Sequence, residues 1–186
     1  MPTRPLSRSG FTLVELIVTC LMIGILAAIA IPQYLKTVEV TKADDAVATV
    51  NMIGTTNRMF ALDHNGYYVN GQFTASCTGT CTGGGACPTS VSATVTNACA
   101  LVCCNYLADQ NWATKPYNFY ACDGKVASAC GSTGSSTRVA GACRKGTTCA
   151  GTPAAMPGSI YDTWSFLMTT AGTISANGTN PPTPVY

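Results

Sequence analysis

From Phe11 to Ile31 the chain is apolar at nearly every position, broken by Thr12, Thr19 and one carboxylate, Glu15. A stretch apolar on all sides predicts a helix that lies in lipid or among other apolar helices. At 1.5 Å per residue it would be roughly 30 Å long, the thickness of a bilayer core. Pro32 follows and predicts a kink rather than an end. Beyond it the pattern changes. Val40, Ala43, Val47, Val50 and Gly54 recur at three- and four-residue intervals, with Ile53 and Phe60 alongside. Thr37, Glu39, Thr41, Lys42, Asp44, Asp45, Thr49, Asn51 and Asn57 fill the other faces. This predicts an amphipathic helix stopped at Asn65-Gly66. Joined, the two stretches make one helix from Phe11 to about His64, roughly 80 Å long.

After the helix the periodicity fades. Gly66 to Asn97 is rich in Gly, Thr, Ser and Cys, with a Gly83-Gly84-Gly85 run, and predicts a loop. Asn97 is placed to cap a short helix reaching about Ala108. Tyr117 to Cys122 is aromatic-rich, Asp123-Gly124 is a turn signal, and Lys125 to Ser128 follows, which predicts a tight hairpin. Further strands are expected at Thr137 to Cys143 and Ile160 to Met168. Trp112, Trp164, Phe166 and Leu167 are expected to pack the sheet onto the amphipathic helix. The Pro-rich end, Asn180 to Tyr186, reads as extended. The expected fold class is α+β: a long N-terminal helix packed against a small antiparallel sheet in a disulfide-rich head. The expected organisation is a leader at 1–10, an apolar helix at 11–32, an amphipathic helix at 33–64 and a head at 65–186. The head divides into a loop at 65–110, a sheet region at 111–176 and a tail at 177–186.

Composition narrows this picture. Only 10% of the 186 residues are charged, well below the usual quarter, so Ser, Thr, Gly and Asn must form much of the surface. Without residues 1–10, which hold Arg4 and Arg8, acidic and basic side chains balance, and nothing electrostatic argues for nucleic acid. Of eleven cysteines, Cys20 lies in the apolar helix. Cys77, Cys81, Cys87, Cys99, Cys103, Cys104, Cys122, Cys130, Cys143 and Cys149 lie beyond it and are read as disulfide partners. Ten cysteines allow on the order of 900 pairings, so the connectivity stays open. No Cys-x-x-Cys spacing occurs and the lone His64 is distant, so no metal and no cofactor are expected. No catalytic constellation is present, and the expectation is that this is not an enzyme. Arg138, Arg144 and Lys145 form a small basic group in sequence, and Asn177-Gly178-Thr179 fits a glycosylation sequon.

Glu15 stands out. A carboxylate inside a membrane span costs a few kcal/mol, marks function and requires a partner. The next basic residue, Lys36, is far along the helix. Arg4 and Arg8 precede the apolar stretch, which orients its N-terminus to the cytoplasm. Gly10-Phe11-Thr12-Leu13-Val14-Glu15 behind a short basic leader resembles the processing site of type IV prepilins and pseudopilins. The resemblance implies that a prepilin peptidase cuts between Gly10 and Phe11 and methylates Phe11. It implies that Glu15 is the assembly residue, with Gly24 and Pro32 as the loosening and kinking positions of a helix hinge.

The same resemblance implies a structural subunit of a type IV pilus or related filament. Its partners would be copies of itself in a helical homo-oligomer, the prepilin peptidase, an inner-membrane assembly platform and, before assembly, the membrane. It would sit in the bacterial inner membrane first and in an extracellular pilus afterwards, serving adhesion or motility. One alternative is a type II secretion pseudopilin. Another, of a different class, is a secreted disulfide-rich binding module whose signal peptide is cut after Ala28-Ile29-Ala30.

Overall fold

A computed structural model of the protein describes residues 10–79, 81, 87–88, 92–124, 137–145, 164–178 and 180–181. Helix α1 spans Leu13–Asp63 and contains Pro32. Proline has no N–H for the carbonyl of Ala28, four residues back, yet the helix continues on the bonds either side. It stops where the sequence predicts. Asn65 (φ 55°) and Gly66 (φ 81°) take left-handed conformations, and the Gly66 N–H donates to the Ala61 carbonyl at 2.7 Å. His64 packs on this end, its ring stacked 3.9 Å from that of Phe60 and its Nδ1 2.9 Å from the Phe60 carbonyl.

The chain divides into two compact units, Met1–Glu39 and Val40–Tyr186. In the first, the described side chains are almost all exposed. In the second, α1 buries Ala43, Ala46, Val47, Val50, Ile53, Gly54, Phe60 and Ala61, a stripe with the three- and four-residue spacing seen in the sequence. It faces a five-stranded sheet made of β1 (Gly71–Phe73), β2 (Tyr117–Ala121), β3 (Arg138–Arg144), β4 (Ser165–Thr169) and β5 (Ile174–Asn177). The strands lie side by side in chain order, every neighbouring pair antiparallel. Register places Phe73, Phe119, Ala142, Phe166 and Ala176 in one row across the sheet. The small residues in that row leave room for the helix. Gly54 marks the closest approach: a methyl group there would come within 2.2 Å of the Met168 sulfur. Trp112, Trp164, Phe166 and Leu167 are buried as expected.

Several expectations are corrected. Asn57 and Thr49, assigned to the polar face, are buried. The Asn57 amide donates to the carbonyls of Val69, Cys122 and Val139 at 2.9–3.1 Å and accepts the Val69 N–H at 2.9 Å. One side chain thus ties α1 to the chain entering β1, leaving β2 and entering β3, and its burial is tolerated because it is fully bonded. The Thr49 hydroxyl is satisfied by the Asp45 carbonyl at 2.8 Å. The expected hairpin partner of β2, Lys125 to Ser128, lies outside the described residues, but β1 and β3 already take both edges of β2. The Gly124 N–H donates to the Arg138 carbonyl at 3.0 Å, and the Tyr68 ring covers the space a Cβ would need there. Gly124 is thus bonded to the start of β3. β1 falls inside the expected loop, and β5 extends the sheet past the expected end at 176.

Helix α2 (Ala100–Cys103) is shorter than expected. Asn105 turns left-handed at φ 62° and the N–H groups of Tyr106 and Leu107 both turn back to the Leu101 carbonyl. The Asn97 side chain accepts the Cys99 N–H at 3.0 Å, just ahead of the helix. Disulfides Cys77–Cys99, Cys81–Cys103 and Cys87–Cys104 fasten the preceding loop to α2. Cys122 and Cys143 are also disulfide-bonded, whereas Cys130 and Cys149 lie outside the described residues. Asp109 secures the same loop by accepting from the N–H groups of Cys77 and Thr78 and the hydroxyls of Ser76 and Thr78. The donors hold its carboxyl well below the usual carboxylate range, the Cys77 N–H most of all.

Candidate functional site: the helix N-terminus

The backbone of Gly10, Phe11 and Thr12 is not helical. Among the described residues, no atom beyond the chain neighbours lies within 4 Å of where a Gly10 Cβ would stand, and Phe11 is 77% exposed. The Gly10–Phe11 peptide bond therefore lies in non-helical backbone just ahead of α1, the kind of segment a peptidase can engage. Thr12 then starts the helix. Its hydroxyl accepts the Glu15 N–H at 3.3 Å, while Glu15 Oε2 accepts both the Thr12 N–H at 3.1 Å and the Thr12 hydroxyl at 2.9 Å. This reciprocal arrangement is a capping box, and it places a negative charge in the first turn, where the helix dipole favours it.

The sequence leads one to expect a partner for Glu15, a cation such as a free amine on Phe11 in this subunit or a neighbour. The structure supplies one in its own first turn, Thr12, although not a cation. The signal was legible, since Thr-x-x-Glu immediately before an apolar run is the capping pattern itself. Gly24 and Pro32 stand apart from this group, about 14 Å and 26 Å along the axis from Glu15, and nothing crowds Gly24. Cys20 is exposed and free. The Thr19 hydroxyl donates to the Leu16 carbonyl at 2.9 Å. Length and composition make the stretch a candidate membrane span.

Elsewhere the basic group does not assemble. Arg138 and Arg144 sit at opposite ends of β3, roughly 20 Å apart. The Arg144 guanidinium lies 5.7 Å from the Tyr117 ring centre, and the Lys145 ammonium donates to the Ala113 carbonyl. Asp45 pairs with Lys115 at 3.1 Å, and Asp63 accepts from the Tyr106 hydroxyl at 2.6 Å. Among the described residues no three His, Cys, Asp or Glu side chains gather as metal ligands.

The exposed Gly10–Phe11 bond, the capped start and the apolar helix behind it coincide with a family model, the prokaryotic N-terminal methylation motif, matched over residues 6–31. The chain carries this motif. It is similar to fimbrial protein of Pseudomonas aeruginosa, 47% identical over 49 residues, which is 26% of this chain and 32% of the relative. It is also similar to type II secretion system core protein G of Pseudomonas aeruginosa, 35% identical over 60 residues, 32% of this chain and 42% of the relative. The matched part thus spans about a third to two-fifths of these relatives. No solved structure matches the chain. The motif covers the candidate cleavage bond, the capping box and Gly24, and ends one residue before Pro32.

Proposed function

We propose that the protein is a structural subunit of a type IV pilus or related filament. In this reading the apolar part of α1 holds it in the inner membrane, and a prepilin peptidase cuts between Gly10 and Phe11 and methylates Phe11. The cut subunits then bundle their apolar helices into a filament core through an assembly platform. The observation that carries the reading is the methylation motif at residues 6–31, lying on an open Gly10–Phe11 bond and a capped Glu15. An exposed apolar helix also needs apolar neighbours once it leaves lipid. Glu15 is the proposed assembly residue, Gly24 and Pro32 the proposed hinge, and no catalytic activity is assigned. Sequencing the mature N-terminus tests the proposal. N-methylated Phe11 is expected, and a chain starting at Ile31 would instead mark a secreted protein with a cleaved signal peptide. The likeness to core protein G favours a second reading, a type II secretion pseudopilin. Recovery of the protein in fibres sheared from the cell surface selects the pilus; its absence there, with loss of secretion on deletion, selects the pseudopilin.

A further inference from the structure

At the C-terminal end of α1 a surface cavity of about 510 Å³ is lined by Arg58, Leu62, Asn65, Tyr68 and Thr170, among others. The volume falls within the range of small-ligand pockets. Its lining is mixed in a particular way. Leu62 is 85% exposed at the lip, an aliphatic side chain with no structural reason to be there. Tyr68 packs its ring over Gly124, which fixes it in place. Asn65 offers an amide and Thr170 a hydroxyl, the latter held by Thr137 at 2.6 Å.

Arg58 is half-buried, and its Nη1 rests against Gly172 in the turn between β4 and β5, 2.9 Å from where a Cβ would stand. The guanidinium is thereby positioned, but it has no acceptor among the described residues. Lys115 and Lys145, by contrast, have acceptors at Asp45 and Ala113. A planar fork of donors that is held in place and unused suits a carboxylate.

The geometry points to a binding site for an acidic sugar. Arg58 takes the carboxylate, Asn65 and Thr170 bond ring hydroxyls, and Tyr68 and Leu62 cover the apolar face of the ring. A neutral sugar lacks the group Arg58 is placed to bind, and a bare anion lacks the ring that Tyr68 and Leu62 are placed to cover. This inference does not depend on the filament reading, because the cavity lies wholly in the unit from Val40 onward.

The test is calorimetric titration of the full chain in detergent with glucuronate, N-acetylneuraminate, glucose, acetate and an acidic peptide. At least one of the two acidic sugars should saturate a single site at least about tenfold more tightly than glucose or acetate, the margin expected of a charge-assisted hydrogen bond. Arg58→Gln should weaken that binding about tenfold or more with an unchanged melting temperature. Arg58→Lys, which keeps the charge and loses the fork, should weaken it less. Should Arg58→Gln fail to fold, the Arg58→Lys and Tyr68→Leu variants carry the test, and both must bind more weakly than wild type. Failure of both acidic sugars to saturate overturns the inference. So does acetate or the acidic peptide binding as tightly as the sugar, or unchanged binding in the folded variants.

Discussion

A glutamine at position 15 can accept the same Thr12 N–H bond that Glu15 accepts, but it brings no charge. Glu15→Gln therefore separates helix capping from electrostatic recognition. If charge guides assembly, the variant is cleaved and membrane-inserted, keeps its first helical turn by amide exchange, and is missing from sheared fibres. Incorporation at wild-type levels would assign the residue to capping alone. Thr12→Ala is the converse: the carboxylate stays while the cap weakens by about 1 kcal/mol, so the first turn should exchange faster with little loss of assembly. Asn57 is a structural residue of another kind. Asn57→Ala removes the partner of the Val69 N–H and one donor each from three buried carbonyls, of which Val139 keeps the Cys122 N–H. At about 1–3 kcal/mol for an unsatisfied buried group, a loss of at least about 2 kcal/mol is expected in urea denaturation. A loss under about 0.5 kcal/mol would mean that water replaces the amide.

At the scale of elements, α1 contains two weak points, Gly24 and Pro32, each unfavourable in a helix interior by about 1 and 3 kcal/mol respectively. The helix is nevertheless continuous through both. On the proposed filament reading, the nine residues from Gly24 to Pro32 are where helix is lost most cheaply when neighbouring chains replace lipid. The expectation is local melting there in the assembled fibre, and a fibre map with unbroken helix from Leu13 to Asp63 rejects it. The elements also show what the sequence made legible. The core stripe of α1 and the alternation in β2, where Tyr117, Phe119 and Ala121 are buried, follow from local periodicity. β1 is three residues starting with a glycine, and β5 has one strong strand former, Ile174. Both exist because a neighbouring strand offers its edge, which no local pattern records. Asp123-Gly124 signals a tight hairpin locally, but the neighbours of β2 in the sheet are β1 and β3, which come from far along the chain. Asn57 looked like a surface residue because periodicity counts polarity, not satisfied hydrogen bonds. At the helix start the Thr12–Glu15 capping pair is legible in the letters, since it depends only on residues three apart.

For the whole molecule, the cross-links and Asp109 make testable demands. Thiol labelling of denatured, unreduced protein should find Cys20 and essentially no cysteine from Cys77 onward. More than one or two labelled head cysteines would contradict the disulfide reading. Asp109 has a folded pKa below its unfolded value, so its contribution is present above the unfolded value near pH 4 and is lost as pH falls through the lower folded value. Asp109→Asn should therefore melt below wild type at pH 7, with the gap closing as melts are recorded from pH 4 down to pH 2. A gap that stays constant over that range would show that Asp109 contributes through packing instead.

Spatial order in the sheet repeats chain order, from β1 to β5. Synthesis delivers a protein from its N-terminus, so every strand after β1 finds a neighbour already made. The stripe of α1 is complete before β1 appears, and the three bonds between Cys77 and Cys104 can close before β2 is synthesised, over separations of 22, 22 and 17 residues. Each later strand then adds to a growing edge, and none has to insert between two that are already paired. Growth by addition leaves few opportunities for a half-made sheet to pair with another chain.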